Sequence, residues 1–434
     1  MGVGVAFVVH PELRHSPSTR PAEQMLAEAA LLAEAIGLHV GHAETINLTT
    51  VRAGSFFGKG VTERLAELAS SYDDPVVIVN TALSPVQQRN LEMAIATKVI
   101  DRTQLILEIF GARAQTHAGR LQVELAALSF QRSRLVRSWT HLERQRGGGG
   151  FLGGPGERQI ELDRRMLMRR VTQIKLELKE VLRTRSMQRR NRVRGETPTI
   201  ALIGYTNAGK STLFNRLTGA KVLSKDMLFA TLDPTMRELV LPSGRHAILA
   251  DTVGFISQLP TELVEAFKST LEEVVHADLL IHVHDAASEF VGEDADDVTL
   301  VLQELGLDEA RQQQSVLHIF NKTDLLTDDD QRVWLGKKYV GGVFASAQDG
   351  SGIADVLEAI DSYLGRDAVQ TILQIKPEDG AARAWLYAYA HIRDSRFDDA
   401  GCGSEQCHAA VSVGYLQYHA KESCNSLVGL TQGQ

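Results

Sequence analysis

The stretch Gly204-Tyr-Thr-Asn-Ala-Gly-Lys-Ser211 fits the eight-residue phosphate-loop pattern and directly follows the apolar run Thr199-Ile-Ala-Leu-Ile203. A buried strand, a glycine-rich turn and a helix from Lys210 to Leu217 would point backbone N–H groups and a positive helix end at a β-phosphate. The Lys210 ammonium would reach the β- and γ-phosphates, and the Ser211 hydroxyl would ligate the Mg²⁺ that bridges them. The sequence therefore predicts a nucleoside triphosphate site in an α/β fold.

The segment Asp251-Thr-Val-Gly-Phe255 carries the next signal, because it ends a second apolar run, Ala247 to Ala250. At the end of a strand beside the phosphate loop, the Asp251 carboxylate would hold a magnesium-bound water. The Gly254 N–H would face the γ-phosphate of the same nucleotide. This segment indicates that the protein hydrolyses the triphosphate that it binds.

Two later segments identify the base. Asn321-Lys-Thr-Asp324 follows the strand-like run Ser315 to Phe320, and Ser346-Ala347 follows Val343-Phe344. A carboxylate at Asp324 would accept hydrogen bonds from guanine N1–H and the exocyclic amine together, a charge-assisted pair that adenine lacks. The backbone at Ser346-Ala347 would contact guanine O6. In this order, the four segments predict a doubly wound GTPase domain.

The segment Leu228-Phe-Ala-Thr-Leu-Asp-Pro-Thr235 lies between the phosphate loop and Asp251, where a nucleotide-sensing switch is expected. It offers two threonine hydroxyls to magnesium, and Thr231 is preferred over Thr235. Thr231 is nearer the phosphate loop, whereas Pro234 restricts the backbone of its neighbours. The alternative is that both threonines are ordinary loop residues.

Together these segments define the candidate site. The predicted nucleotide-binding residues are Gly204, Tyr205, Thr206, Asn207, Ala208, Gly209, Lys210, Ser211, Thr212, Asp251, Thr252, Val253, Gly254, Asn321, Lys322, Asp324, Ser346 and Ala347. The predicted catalytic residues are Lys210, Thr231 and Gly254, and the predicted magnesium ligands are Ser211, Thr231 and Asp251.

Phe255 stands where many GTPases place the glutamine that orients the attacking water. A phenyl ring has no donor or acceptor for water, so slow unassisted hydrolysis is expected. Asn207 occupies the phosphate-loop position at which related potassium-using GTPases carry asparagine. Potassium bound there could counter the transition-state charge, in addition to the Mg²⁺ cofactor. Alternatively, Asn207 only braces its own loop.

Composition sets broader bounds on the chain. Its 434 residues, 44% of them hydrophobic, are enough for two or three cores. No apolar run approaches the ~18 residues of a membrane span. We therefore expect a monomeric, cytoplasmic protein without a membrane span, with peripheral membrane association as a further option.

Charge is separated along the chain. Residues 131–194 contain eighteen arginines or lysines and six acids, a local charge of +12, so the remainder carries −20 within the total of −8. Such a separation suggests one element directed at a polyanion.

The basic region has the pattern of two amphipathic helices. Apolar residues recur at helical spacing from Leu121 to Leu142 and again from Ile160 to Val181. The glycine-rich stretch Gly147 to Gly156 separates them, because its glycines and proline disfavour a helix. The pattern predicts an antiparallel helical hairpin with an arginine-rich surface. Two interpretations stay open: a solvated surface helix with a slack linker, or an RNA-binding probe.

Several motifs make a family resemblance recognisable. They are Leu83-Ser-Pro-Val-Gln-Gln-Arg-Asn-Leu91, Val99-Ile-Asp-Arg-Thr103, Leu121-Gln-Val-Glu-Leu125, Gly154-Pro-Gly-Glu-Arg-Gln159, Asp163-Arg-Arg165, Gly204 to Ser211 and Asp251 to Phe255. In this order they resemble the HflX family of translational GTPases, over about residues 20 to 365.

The resemblance implies an architecture and a role. The domains would be an N-terminal α/β domain (1–118), the basic helical hairpin (119–195), the GTPase domain (196–365) and a small C-terminal α+β domain (366–434). The role would be to bind GTP and GDP, to place the hairpin tip on the RNA of the large ribosomal subunit near the peptidyl-transferase centre, and to split or rescue stalled or idle ribosomes under stress. Two alternatives are a GTPase acting on another RNA, in ribosome assembly or RNA modification, and a protein-binding signalling switch.

Overall fold

The computed structural model describes residues 4–14, 20–145, 155–194, 197–220, 228–229, 231–232, 234–260, 263, 271–366, 369–375, 380, 391–397 and 403–409. In these residues the chain alternates helices with largely parallel sheets, so the predicted α/β class is confirmed. No helix among them is long and apolar enough to cross a membrane. The glycine-rich hairpin tip, 146–154, lies outside the described residues.

The N-terminal part is a parallel sheet of four strands in the order β2-β1-β3-β4. Its strands are β1 (Val5–Leu13), β2 (His39–Leu48), β3 (Val76–Val79) and β4 (Lys98–Asp101). Its helices are α1 (Ala22–Ala35), α2 (Lys59–Ser70), α3 (Pro85–Ile95) and α4 (Arg102–Arg113). The motif that begins at Leu83 has a local structural reason, because Ser84 and Gln87 form a reciprocal capping box at the start of α3.

Two long helices form the predicted hairpin. Helix α5 spans His117–Gln145 and α6 spans Pro155–Arg194. Their apolar stripes meet in a seam of five buried residues: Leu121, Leu125, Val171, Ile174 and Leu178. Beside the seam, the Arg170 guanidinium donates two hydrogen bonds to the Glu124 carboxylate, at 2.6 and 2.8 Å. The base of α5 also packs on the N-terminal part, because Val123 and Ala126 belong to that core.

The GTPase domain is a sheet of six strands in the order β10-β9-β8-β5-β7-β6, parallel except for β6 against β7. The strands are β5 (Thr199–Ile203), β6 (Thr235–Val240), β7 (His246–Asp251), β8 (Leu279–Asp285), β9 (Val316–Asn321) and β10 (Val343–Phe344). The helices are α7 (Lys210–Thr218), α8 (Glu272–Val275), α9 (Val291–Glu304), α10 (Glu309–Ser315), α11 (Asp329–Lys338) and α12 (Ile353–Gly365). Each predicted motif therefore follows a parallel strand, where open α/β sheets bind ligands.

The described part of the C-terminal region is an antiparallel sheet in the order β11-β13-β12. It consists of β11 (Val369–Ile375), β12 (His391–Phe397) and β13 (Gly403–Ala409). These three strands agree with the strands expected for a C-terminal α+β module.

One hydrophobic cluster joins the N-terminal part to the GTPase domain. It contains Ala29, Leu32 and Phe110 from the first and Phe229 and Phe255 from the second. The rings of Phe110 and Phe229 meet edge to face, with centroids 4.7 Å apart. The two parts are therefore packed as one body across an apolar face rather than tethered by a linker.

A buried polar network crosses the same boundary, and Glu28 is its centre. Its carboxylate accepts from Arg102 at 2.5 Å, from the Ser257 hydroxyl at 3.0 Å and from the Tyr205 hydroxyl. Arg102 also donates to the Ser257 carbonyl at 2.9 Å. A buried charged network of this kind stabilises only while its members remain paired.

We predict that Glu28→Ala lowers the free energy of unfolding by about 3–5 kcal/mol, because it leaves the buried Arg102 charge without its carboxylate. The matched control is Glu23→Ala on the exposed face of the same helix, which should change stability by less than ~0.5 kcal/mol. Urea unfolding of the full chain measures both. Equal effects of the two substitutions would contradict the role given to Glu28.

Candidate nucleotide site

The predicted motifs come together in one cleft of about 550 Å³ at the carboxyl ends of the GTPase strands. Of the predicted residues, the cleft is lined by Thr206, Asn207, Gly209, Lys210, Ser211, Thr212, Thr231, Thr252, Gly254, Asn321, Lys322, Asp324 and Ala347. Phe229, Leu325 and Gln348 also line it and were not predicted. Nothing in the sequence pattern marks these three, because they are neighbours of motif residues in loops.

Glycine is required in the phosphate loop for two reasons. The backbone of Gly209 has a φ of +88°, in the left-handed region that side chains rarely adopt. A Cβ atom on Gly209 would also lie 2.2 Å from Nδ2 of Asn321. That amide donates to the Ala208 carbonyl at 2.9 Å, so the base-recognition segment braces the phosphate loop directly.

The phosphate loop is also bonded to the segment after β7. The Thr206 N–H donates to the Phe255 carbonyl at 2.7 Å, and the Phe255 N–H donates to the Gly204 carbonyl at 3.1 Å. A Cβ atom on Gly254 would lie 3.0 Å from Nζ of Lys210. The backbone of Gly254 thus lies against the lysine and the loop, where its N–H can approach the same phosphate.

Lys210 supplies the positive charge of the site. Its side chain is buried and donates to the Gly204 carbonyl at 3.0 Å and to the Tyr205 carbonyl at 2.7 Å. Burial lowers the pKa of Lys210 to about 8, against the opposing effect of the Asp251 carboxylate. A polyphosphate beside this ammonium would stabilise its charged form.

Three oxygen donors converge below the loop. The Ser211 hydroxyl donates to Oδ2 of Asp251 at 2.7 Å, the Thr231 hydroxyl donates to the same oxygen at 3.0 Å, and the two hydroxyls are 2.8 Å apart. Burial raises the pKa of Asp251, although hydrogen bonds from Ser211 and Thr231 oppose the shift. The other carboxylate oxygen, Oδ1, is buried and has no hydrogen-bond partner. Hard oxygen donors with an unsatisfied carboxylate suit Mg²⁺.

The structure separates the two candidate threonines. Thr231 lies beside Ser211 and Asp251, whereas Thr235 begins β6 and pairs with Asp251 through the strand ladder. Of the two threonines, only Thr231 has its hydroxyl within hydrogen-bond distance of both Ser211 and Asp251 among the contacts of the described residues.

The segments predicted to recognise the base are held together by hydrogen bonds. The Asn321 side-chain oxygen accepts from the Ala347 N–H at 2.9 Å, and the Ser346 hydroxyl donates to Oδ1 of Asp324 at 2.6 Å. The Lys322 ammonium pairs with Asp285 at 2.7 Å. The Ser346 bond fixes the orientation of the Asp324 carboxylate, which suits two parallel N–H donors.

The predicted site residue Tyr205 and the neighbouring motif residue Phe255 point elsewhere with their side chains. The Tyr205 hydroxyl accepts from the Ser257 N–H at 2.9 Å and donates to Glu28, so the ring faces the N-terminal part. Phe255 is 1% exposed and packs in the shared core. Tyr205 can offer only backbone groups to a phosphate, and Phe255 lies away from any attacking water. Sequence reasoning missed the Glu28 network because its members are far apart in the chain.

Comparison with known proteins gives three family matches along the chain. Residues 23–111 match a family described as GTP-binding GTPase N-terminal, and residues 113–192 match the GTP-binding GTPase middle region. Residues 199–322 match the family described as 50S ribosome-binding GTPase.

Full-length relatives are similar over most of the chain. GTPase HflX of Magnetococcus marinus is 47% identical over 381 residues, 87% of either chain. GTPase HflX of Escherichia coli is 45% identical over 357 residues, 82% of this chain and 83% of its own. A crystal structure of a GTP-binding protein from Sulfolobus solfataricus with GDP is 21% identical, covers 83% of this chain and 98% of its own, and has a TM-score of 0.44.

We predict that Gly209→Ala weakens GDP binding more than tenfold (about 1.4 kcal/mol), because both its φ and the contact with Asn321 would have to change. The matched control is Gly219→Ala at the other end of α7. Gly219 also has a positive φ, +66°, but an added Cβ meets nothing within 4 Å. Titration with a fluorescent GDP analogue compares the two, and equal losses would show that strain alone, not the Asn321 contact, matters.

Proposed function

The chain belongs to the HflX family of GTPases, and on that premise we propose that it binds the large ribosomal subunit and splits or rescues stalled or idle ribosomes under stress. Hydrolysis of GTP follows from the family and from its P-loop GTPase domain. The ribosomal step is the part that requires support from the molecule itself.

The observation that carries this proposal is the concentration of positive charge on the hairpin. Residues 131–194 have a net charge of +12, while the rest of the chain has −20. Arg164, Arg165 and Arg169 lie on α6 with their side chains exposed. RNA phosphates repel the acidic parts of the chain and attract its basic part. The hairpin is therefore the element that we expect to contact RNA. A match to a family described as ribosome-binding agrees with this choice of RNA.

We further propose that the chain is divided into four functional units. They are residues 1–118, the hairpin 119–195, the GTPase domain 196–365 and residues 366–434. Because the base of α5 packs on the N-terminal core, the first two units would move together in this proposal. In this proposal the protein acts as a monomer in the cytoplasm.

In hydrolysis, Lys210 would neutralise charge on the β- and γ-phosphates, and the Gly254 N–H would hold the γ-phosphate. Ser211, Thr231 and Asp251 fit Mg²⁺, which P-loop GTPases generally use and which withdraws charge from the phosphates when bound. Thr231, in the segment where a switch is expected, would contribute its hydroxyl to the magnesium ion. The buried Phe255 leaves the attacking water to be positioned by another group, so we expect slow turnover without the ribosome.

The first prediction of the proposed function concerns the hairpin. Replacing Arg164, Arg165 and Arg169 with Glu should weaken binding to the large subunit and flatten its salt dependence by about 0.7–0.9 per lost phosphate contact. GTP binding should be unchanged, because the substitutions are on α6. Sedimentation with purified subunits, in a GTP analogue or GDP and over a series of salt concentrations, measures both quantities.

A control with the same charge change replaces Lys98, Arg237 and Lys337, which are exposed elsewhere. It should keep the salt slope of the wild type. An unchanged slope in the hairpin variant would move the RNA contact elsewhere. Failure of the wild type to sediment with either subunit would favour a GTPase acting on another RNA or a protein-binding switch.

The second prediction concerns the base. Asp324→Asn should lower GTP affinity by at least ~10²-fold and favour xanthosine triphosphate, because the amide can donate to the xanthine carbonyl. Asp329→Asn, an exposed site in the next helix, is the control and should bind GTP normally. Competition binding checks both variants, and wild-type protein that binds ATP as tightly as GTP would refute guanine selection.

The third prediction concerns a potassium ion at Asn207. Asn207 lines the cleft with a φ of +60°, a backbone conformation that asparagine tolerates. Ribosome-stimulated hydrolysis should be faster in K⁺ than in Na⁺ at equal ionic strength, and Asn207→Ser should remove the difference. Equal rates for the wild type in both salts would leave Asn207 as a brace of its own loop.

A further inference from the structure

Three histidines form a cluster inside the GTPase domain, apart from the nucleotide cleft. His282 and His284 are alternate residues of β8, so their side chains lie on one face of the sheet, and both are buried. His318 on β9 is the direct strand partner of His282. One nitrogen from each ring lies within 4.8 Å of the others. The cluster takes no part in the proposed mechanism, and no motif in the sequence indicated it.

The rings are already in mutual contact. Nε2 of His284 and Nδ1 of His318 are 2.9 Å apart, so one proton is shared between them. The rings of His282 and His284 are stacked, with centroids 3.8 Å apart and planes tilted by 30°. Around them lie Phe320 and Tyr339, whose rings touch His284 at 5.1 and 5.3 Å between centroids. The imidazoles thus lie in a largely aromatic shell.

The spacing is close to that of metal ligands. Two imidazole nitrogens bound to one Zn²⁺ at 2.0–2.1 Å with a tetrahedral angle are ~3.3 Å apart. Bringing these two nitrogens from 2.9 Å to that distance needs a shift of about 0.4 Å, together with rotation of all three rings so that their lone pairs point at a common ion. A metal requires neutral imidazoles, and burial lowers the pKa values of all three histidines.

We propose that His282, His284 and His318 form a binding site for a divalent transition-metal ion of the zinc class. Three nitrogen donors from adjacent strands leave the fourth position of a tetrahedral ion for water or a small anion. Imidazole donors favour Zn²⁺, Co²⁺ and Ni²⁺ over Mg²⁺, which prefers oxygen. The site is therefore chemically separate from the magnesium site of the GTPase cleft.

The direct test uses the untagged full chain, stripped with a chelator and titrated with Co²⁺. One equivalent should bind and develop visible d–d absorption of a four-coordinate ion. His284→Val or His318→Val should weaken Co²⁺ binding by at least ~10-fold, since loss of even an outer partner of a ligand has that effect. His246→Ala, at an exposed histidine on β7, should leave the titration unchanged. Absence of stoichiometric absorption, or equal affinity in the valine variants, would overturn the proposal.

A second variant covers the case in which valine disturbs the core. His318→Cys retains a metal donor, so it should bind Co²⁺ and add a thiolate-to-cobalt charge-transfer band in the near ultraviolet. A purely structural histidine stack would give no such band in a variant that still binds GDP. GDP binding by each variant reports that the domain is folded, so failure of the metal site is distinguishable from failure of the nucleotide site.

Discussion

The buried charge of Lys210 is the constraint around which the GTPase domain is arranged. An ammonium group withdrawn from water must be compensated, and here its direct partners are two backbone carbonyls of its own loop. The same loop needs glycine at Gly209, which takes a positive φ and leaves room for the Asn321 amide. The helix that follows adds N–H groups of the same polarity. Together, the lysine, the loop and α7 give this edge of the sheet a positive potential, which favours binding of an anion.

The same loop is held from its other side by the N-terminal part. Tyr205 turns its hydroxyl to Glu28, and the segment after β7 joins the contact through Ser257. Any movement of that segment during the nucleotide cycle must break or carry along these bonds. The network thus gives a physical link between the γ-phosphate side of the cleft and the base of the hairpin, which rests on the same core.

Much of the fold was predictable because it depends on local signals. The strand before Gly204, the helix from Lys210 and the hairpin seam that includes Leu121 and Leu178 follow from periodicity and glycine placement. The contacts of Glu28 and the histidine cluster were not predictable, because they join residues that only the tertiary fold brings together. His282 and His284 do show an alternate spacing, but their partner His318 is identified only by strand register. The direction of the Tyr205 side chain likewise depends on a surface from another domain.

The joint core has a consequence for how the chain is made. Phe110 emerges from a translating ribosome well before Phe229, the ring that covers it, with both helices of the hairpin synthesised in between. At 5–20 residues per second this interval is on the order of ten seconds. Throughout it, helices α1 and α4 of the nascent N-terminal part carry apolar residues that the GTPase domain does not yet cover. We therefore expect chaperones to bind the early part of the chain during synthesis. A truncation before the GTPase domain would leave the same apolar residues exposed permanently.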